Sequence, residues 1–172
     1  MKTLDYQIDT QLAPKTDAPL QIADWVEPLA VEPTGPYVRL QNGDILCIQG
    51  EKNANHQAWL SADEGQTWQT YSIFDASRFA MHDDHALCVS KSGRVYLSFE
   101  NTQNYHFNWI KRRNAPSKNT RLDQYIVWSD DHGRTWQQPV LIQSGYAASI
   151  RSLLELDDGT LVVSAQNLDY QD

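Results

Sequence analysis

Two octapeptides with the same pattern, Ser-x-Asp-x-Gly-x-Thr-Trp, constrain the fold of this chain more than any other feature. One spans residues 61–68, and the other spans residues 129–136, sixty-eight positions later. The Ser and Asp side chains can accept hydrogen bonds from backbone amides two or three residues on, and the Gly adopts a positive φ that a Cβ resists. The Trp is expected to pack its ring under the turn. Each octapeptide therefore predicts a tight structural turn. The residues that build the two turns are Ser61, Asp63, Gly65, Trp68, Ser129, Asp131, Gly133 and Trp136.

A second repeat, aligned on a Gly, runs through the chain from residue 34 onward. Segments 35–47, 85–97 and 151–163 align without gaps, and each reads as a strand, a tight turn holding the Gly, and a second strand. In the first two copies a loop, a third strand, the octapeptide and a fourth strand follow. Four antiparallel strands in a meander, repeated radially, form the blades of a β-propeller. The blades are predicted at about 34–76 and 84–143, with an incomplete third at 148–172.

The number of predicted blades is too small to close a propeller ring, so we consider how the ring is completed. Residues 1–33 are predicted to be an N-terminal arm with a possible ring-closing strand, since a short apolar segment lies among three prolines. About two and a half blades leave unpaired strand edges. We therefore expect either that further blades follow in a longer chain, which is the interpretation we favour, or that the half-ring self-associates.

Composition narrows the class of protein. Six Trp, eight Tyr and 41% hydrophobic residues indicate a globular, β-rich chain. The net charge of -8 argues against nucleic-acid binding, and no apolar run is long enough to span a bilayer. Without the apolar core of a signal peptide the chain as given is expected in the cytoplasm, and a trimmed N-terminus would instead indicate a secreted or periplasmic protein. Cys47 and Cys88 are interpreted as buried free thiols, and no cofactor is expected.

Candidate chemistry lies at the end of the blades opposite the Gly turns, where longer polar loops collect. The segment Met-His-Asp-Asp-His at 81–85 places two carboxylates and two imidazoles at the entrance to an innermost strand. In the alignment His85 and Arg151 are equivalent, so we expect them to be neighbours at the mouth of the central channel. A His-Asp cluster could position a general acid, and an Arg could grip a carboxylate; a structural ion pair is the alternative, and no spacing signature supports a metal. The candidate catalytic residues are His82, Asp83, Asp84, His85 and Arg151.

The long loop of the second blade is the candidate binding surface. Residues 101–109 are rich in aromatic and amide side chains, as sugar-binding surfaces often are, and a basic run follows at 111–113. A basic loop on an acidic protein suggests an anionic ligand, with a solvated charged face as the alternative. The candidate substrate-binding residues are Glu51, His56, Tyr105, His106, Trp109, Arg112 and Arg113.

The octapeptide resembles the Asp-box, or BNR repeat, of the sialidase (neuraminidase) superfamily, and the similarity covers residues 34–172. This resemblance implies an all-β, sialidase-like β-propeller of four-stranded antiparallel blades from a ring of about six. It also implies a carbohydrate-active protein of the exo-α-sialidase, glycoside hydrolase type, with an acidic oligo- or polysaccharide as its partner.

The family's catalytic residues are only partly matched. The first Arg of the family's triad begins an inner strand in an Arg-Ile-Pro motif, whereas blade one has Gly35 and Pro36 there. Arg151 holds the corresponding position in blade three, without the Ile-Pro. The loop at 51–56 lacks the family's acid/base Asp, and the remaining catalytic groups would come from later blades. Two alternatives therefore stay open: a propeller polysaccharide lyase acting on a uronate polymer, and a non-catalytic glycan-binding propeller.

Overall fold

The computed structural model describes residue 33, residues 35–50 and residues 56–168, apart from the side chains of His82 and Asp83. All but the last residue of the predicted N-terminal arm, and Glu51, lie outside these described residues. The regular elements in the described part are strands and two single-turn 3-10 segments, at Thr102–Asn104 and Lys111–Arg113. The strands are β1 (Tyr37–Arg39), β2 (Ile45–Gln49), β3 (Gln57–Ser61), β4 (Gln69–Ser72), β5 (Met81–Val89), β6 (Val95–Asn101), β7 (Trp109–Ile110), β8 (Ala115–Pro116), β9 (Gln124–Ser129), β10 (Val140–Gln143), β11 (Ser152–Glu155) and β12 (Leu161–Ser164).

The strands form two complete four-stranded blades and one hairpin. Blade one has the order β1-β2-β3-β4, blade two has the order β5-β6-β9-β10, and β11-β12 begins blade three. All these pairings are antiparallel. The fourth sheet is a short hairpin, β7-β8, inserted between β6 and β9. The predicted all-β propeller architecture is therefore confirmed.

The three Gly-centred hairpins share one register. The residue six positions before the Gly faces the residue four positions after it in each blade, since Tyr37 pairs with Cys47, Leu87 with Leu97 and Leu153 with Val163. The gapless alignment thus corresponds to a real structural equivalence. The inner strand of blade two, however, begins at Met81, four residues before the start of the aligned segment. Met81 pairs with Asn101 across a register irregularity, and its fully buried side chain anchors the extension.

The hydrophobic core fills the space between blades one and two. Val95, Leu97 and Phe99 lie on one face of β6 and pack with Leu46 and Ile48 of blade one. Successive strand residues point to opposite faces, so the alternate residues Ser98 and Glu100 face the other way, and Glu100 meets the loop that leads into blade three.

Neighbouring blades are also joined at their hairpin turns. The Gln41 side chain donates a hydrogen bond to the Lys91 carbonyl (2.8 Å), and the Lys91 ammonium lies 2.8 Å from the Asp157 carboxylate. All three residues lie two positions before the Gly of their hairpin. Equivalent turn positions are thus in contact from one blade to the next, with β5 lying between β1 and β11.

The two Ser-x-Asp-x-Gly-x-Thr-Trp turns have the same geometry. In the first, Ser61 Oγ accepts from the Gly65 amide (2.8 Å), Asp63 Oδ1 accepts from the Thr67 amide (2.8 Å), and Trp68 Nε1 donates to the Gly65 carbonyl (3.1 Å). The corresponding distances in the second are 2.8, 2.7 and 2.9 Å. The side chains therefore also reach amides four residues on, beyond the two or three that the sequence suggested. Hydrogen bonds from Thr67 lower the pKa of Asp63.

Both cysteines are free thiols, as predicted, although their burial differs. Cys47 is fully buried, and burial raises the pKa of its thiol to about 12. Cys88 is only half-buried.

Candidate functional site

Three connections meet at the loop end of blades two and three. They are residues 102–123 between β6 and β9, residues 144–151 between β10 and β11, and residues 165–168 after β12. The Leu122 amide donates to the Gly145 carbonyl (2.6 Å), and the Ala147 amide donates to the Leu122 carbonyl (3.0 Å). The Gln166 amide donates to the Ala148 carbonyl (2.8 Å). These bonds hold the three connections together as one surface.

A buried carboxyl lies beneath this surface. Glu100, near the end of β6, is 2% exposed and pairs with Gln124 of β9 on the face toward blade three. Its Oε1 has no hydrogen-bond partner among the described residues. Burial, and then the negative charge of Asp84, raise its pKa to about 7, against the opposing effect of hydrogen bonds from the amides of Ser149 and Ile150 to the carboxylate. A carboxyl with this pKa can hold or release a proton near neutral pH.

The loop over Glu100 has an unusual backbone conformation. Ser149 has φ +62°, a left-handed conformation that costs a non-glycine residue about 1–2 kcal/mol. Its amide and the next one both point to the Glu100 carboxylate. Contact with the carboxylate therefore helps to hold the segment that leads directly to Arg151.

The candidate catalytic residues are divided between the two faces of blade two. Phe99 and Glu100 are consecutive in the regularly paired part of β6, so their side chains point to opposite faces of blade two. Asp84 is exposed and close enough to Glu100 to raise its pKa, whereas His85 pairs with Phe99 on the face toward blade one. The backbones of His82 and Asp83 also lie in β5. The structure brings together Asp84 and a carboxyl that the sequence did not single out.

Arg151 lies immediately before β11. Its amide donates to the Ser164 carbonyl (3.2 Å), and its side chain is exposed. It forms no ion pair with any of the side chains that the structure describes. Its equivalence to His85 follows from the shared hairpin register, but its proximity to His85 stays a prediction.

The loop of blade two between β6 and β9 is an ordered aromatic surface. His106 and Arg121 form a β-bridge, with amide-to-carbonyl distances of 2.9 and 2.6 Å. Phe107 and Trp109 are each 44% exposed, and their ring planes are inclined by 12° with centroids 6.5 Å apart. The ring of Tyr146, from the loop at 144–151, lies 5.6 Å from Phe107. Tyr105 is 53% exposed on the same segment.

This loop is cationic. Residues 102–122 contain five Lys or Arg residues and no Asp or Glu. One of them, Arg121, pairs through Nε with the buried Asp123 (2.6 Å), which also accepts a hydrogen bond from the Gly145 amide (3.0 Å). This ion pair therefore ties the loop to the neighbouring connection. Arg112 and Arg113, with Lys111, lie exposed on the second 3-10 segment.

Comparison with known proteins places this geometry in a fold. No family model matches the chain. It is 27% identical over 123 residues to a sialidase of Paraclostridium sordellii, covering 62% of this chain and 30% of that protein. It is 26% identical over 141 residues to a sialidase of Vibrio cholerae serotype O1, covering 73% of this chain and 17% of that protein. The solved structure of the Hadza microbial sialidase Hz136 superposes with a TM-score of 0.51 at 18% identity, covering 74% of this chain and 30% of that one. The fold is sialidase-like.

The sialidase-like chain spans less than a third of the length of each of these relatives. The match therefore concerns only a part of each of these proteins. No helix in the described part of the chain is long and apolar enough to cross a membrane.

One other predicted binding residue within the described ranges, His56, does not join the aromatic surface. It is 1% exposed immediately before β3 in blade one, so its ring is enclosed by protein. Within the described residues, no three His, Cys, Asp or Glu side chains form a group that could hold a metal ion.

The sequence analysis missed Glu100, Phe107 and Tyr146. The segment Val-Tyr-Leu-Ser-Phe-Glu at 95–100 alternates between apolar and polar residues, which is typical of a strand with one face in water. Blade three covers that second face, so Glu100 is buried. The signal for Phe107 was present, since it lies two residues from Trp109 and an extended segment puts such residues on one face.

Proposed function

We propose that this sialidase-like chain is part of a glycoside hydrolase of the exo-α-sialidase type that acts on an acidic glycan. The supporting observation is that an exposed Arg151, an exposed Asp84 and the buried Glu100 carboxyl, whose pKa is raised to about 7, lie at one end of a sialidase-like propeller. In such folds the loop end is where binding sites are built.

Each group has a definite chemical task in this proposal. Arg151 binds the glycan carboxylate, because a guanidinium grips a carboxylate with two parallel hydrogen bonds. Asp84 is the exposed carboxyl that meets the substrate, and Glu100 beneath it takes up or supplies a proton. Glycoside hydrolysis needs a carboxyl group that can hold a proton near neutral pH, and burial raises the pKa of Glu100 in that direction. The remaining catalytic groups would come from other blades.

The test is hydrolysis of methylumbelliferyl α-sialoside by the protein that carries this chain. Arg151→Gln is expected to lower kcat/KM by about 10²-fold, because a charge-assisted contact to the substrate is lost. Arg78→Gln is the matched control, since it removes the same charge from an exposed residue in the loop between blades one and two. Full activity in Arg151→Gln would contradict the assignment of this residue.

A second function is favoured by the exposed rings of Phe107 and Trp109, which need no catalytic group to bind a glycan. A protein that binds acidic oligosaccharides but does not cleave the sialoside would be a glycan-binding propeller. Release of unsaturated products from a uronate polymer would instead identify a polysaccharide lyase.

A further inference from the structure

We infer that residues 102–122, here called the blade-two insertion, carry a subsite for an anionic oligosaccharide that is distinct from the Asp84–Glu100 pair. In this subsite a sugar ring stacks on the rings of Phe107 and Trp109, and the cations at 111–113 bind an acid group of the same oligosaccharide. The inference rests on the proposed function only in taking a glycan as the class of ligand.

The rings form a surface that is set before a ligand arrives. Phe107 and Trp109 lie two residues apart on an extended segment, and their planes are inclined by only 12°. The backbone between them is fixed on its other side, because Asn108 accepts a hydrogen bond from the Ser117 amide (2.8 Å) and its own amide bonds to Thr120 Oγ1 (3.3 Å). A rigid, exposed ring surface loses little conformational entropy on binding.

Exposure of aromatic rings is concentrated in this insertion. Among the described residues, the aromatic side chains that are at least 40% exposed are Tyr37, Tyr105, Phe107 and Trp109. Three of the four thus lie within five consecutive positions, and Tyr37 packs on the ring of Trp68 (6.2 Å). Such a cluster marks a binding surface, because single exposed apolar residues are scattered on ordinary surfaces.

The position of the insertion indicates that its exposed rings meet a ligand and not another blade of the propeller. Blade two has four strands, and its inner strand already lies between those of blades one and three. The exposed apolar side chains that another blade could cover lie elsewhere, on the two-stranded hairpin of blade three, and they are Leu154 and Val162. The insertion therefore lies at the loop end of a blade whose neighbours on both sides are present.

Charge defines the class of ligand. The insertion carries five cations and no acidic residue in a chain of net charge -8. Local cations bind an acid group on a sugar, whereas the overall negative charge opposes a polynucleotide, whose affinity depends on many phosphate contacts. The sugar's apolar face suits the rings, and its carboxylate suits the paired donors of Arg112 and Arg113.

The experiment measures binding of oligosialic acid tetramer and of a uronate tetramer by calorimetry, with oligouridylate as the nucleic-acid probe. Trp109→Ala and Phe107→Ala are each expected to weaken binding of at least one tetramer by about 10-fold. Arg112→Gln should weaken it and reduce its dependence on salt. Leu141→Ala, an exposed apolar side chain on β10, and Arg78→Gln are the matched controls and should leave the affinity unchanged.

Hydrolysis of methylumbelliferyl α-sialoside separates this inference from the proposed function, because that substrate is too short to require the insertion. Oligosaccharide binding that depends on Trp109 supports the subsite even if the aryl sialoside is not cleaved. Unchanged affinity in both ring variants, no binding of either tetramer, or tighter binding of oligouridylate would overturn the inference.

Discussion

Replacing Glu100 by Gln is expected to make the stability of the protein less dependent on pH. In the folded protein burial and then the charge of Asp84 raise the pKa of Glu100 from 4.5 to about 7. Between these two pH values the folded state binds more protons than the unfolded state, so the free energy of unfolding falls as pH rises. The full contribution of Glu100 is present below pH 4.5, is lost progressively up to about pH 7, and changes little above that.

The size of the effect follows from the two pKa values. A difference between 4.5 and about 7 corresponds to about 3 kcal/mol, at 1.36 kcal/mol for each tenfold change in the proton equilibrium. A Gln side chain keeps the shape and can still accept a hydrogen bond from an amide of the overlying loop, but it does not ionise. The stability of Glu100→Gln relative to the natural protein should therefore increase by about 3 kcal/mol between pH 4.5 and pH 8.

The assay is urea unfolding across that pH range, followed by tryptophan fluorescence. Asp84→Asn should give an intermediate result, because it removes the smaller electrostatic contribution and leaves burial in place. Glu64→Gln is the contrasting control, since the hydrogen bond from Arg39 lowers the pKa of Glu64 below 4.5. The contribution of Glu64 therefore changes mainly below pH 4.5, and the profile of this variant between pH 4.5 and pH 8 should stay nearly parallel to that of the natural protein. Parallel pH profiles for the natural protein and Glu100→Gln would refute the reasoning, because they would mean that Glu100 titrates alike in both states.

Two further predictions concern the turns. Gly133→Ala should destabilise the protein by about 2–4 kcal/mol in urea unfolding, because a Cβ at φ +85° is strained and would lie 2.1 Å from Leu46 Cδ1. Gly43→Ala, at φ +93° with no atom within 4 Å of the new Cβ, should cost only about 1–2 kcal/mol. Equal losses of stability in the two variants would show that the clash with Leu46 contributes nothing. Asp131→Ala should cost about 1–3 kcal/mol, because its carboxylate accepts bonds from the amide and hydroxyl of the Thr four residues on (2.7 Å each). Asp130→Ala, which breaks only an exposed ion pair in the same turn, should cost less than about 1 kcal/mol, and a larger loss there would contradict this account.

The blades could be predicted because their signals are local. A hairpin turn needs a residue that tolerates positive φ, and the Gly at the same place in three segments fixed a register that the structure reproduces. The candidate site was harder to predict, because its members meet only across blades. The sequence placed Asp84 and His85 together as neighbours in the chain, yet in the folded blade Asp84 acts on Glu100 whereas His85 pairs with Phe99, on the other face. It also left Glu100 unnoticed, because nothing local distinguishes a water-facing strand residue from one covered by the next blade.

The sequence by itself determined the strand order, the turn chemistry and the cationic character of the blade-two insertion, since these depend on residues within one hairpin or one loop. Only the tertiary structure decided which carboxyl is buried, which rings share a surface and which connections are joined. Proton affinity depends on burial and on nearby charges and hydrogen bonds, and for Glu100 these come from packing, from Asp84 and from the Ser149 and Ile150 amides, which are distant from it along the chain. The fold can thus be predicted from short local repeats, whereas the chemistry of the site depends on how those repeats pack against one another.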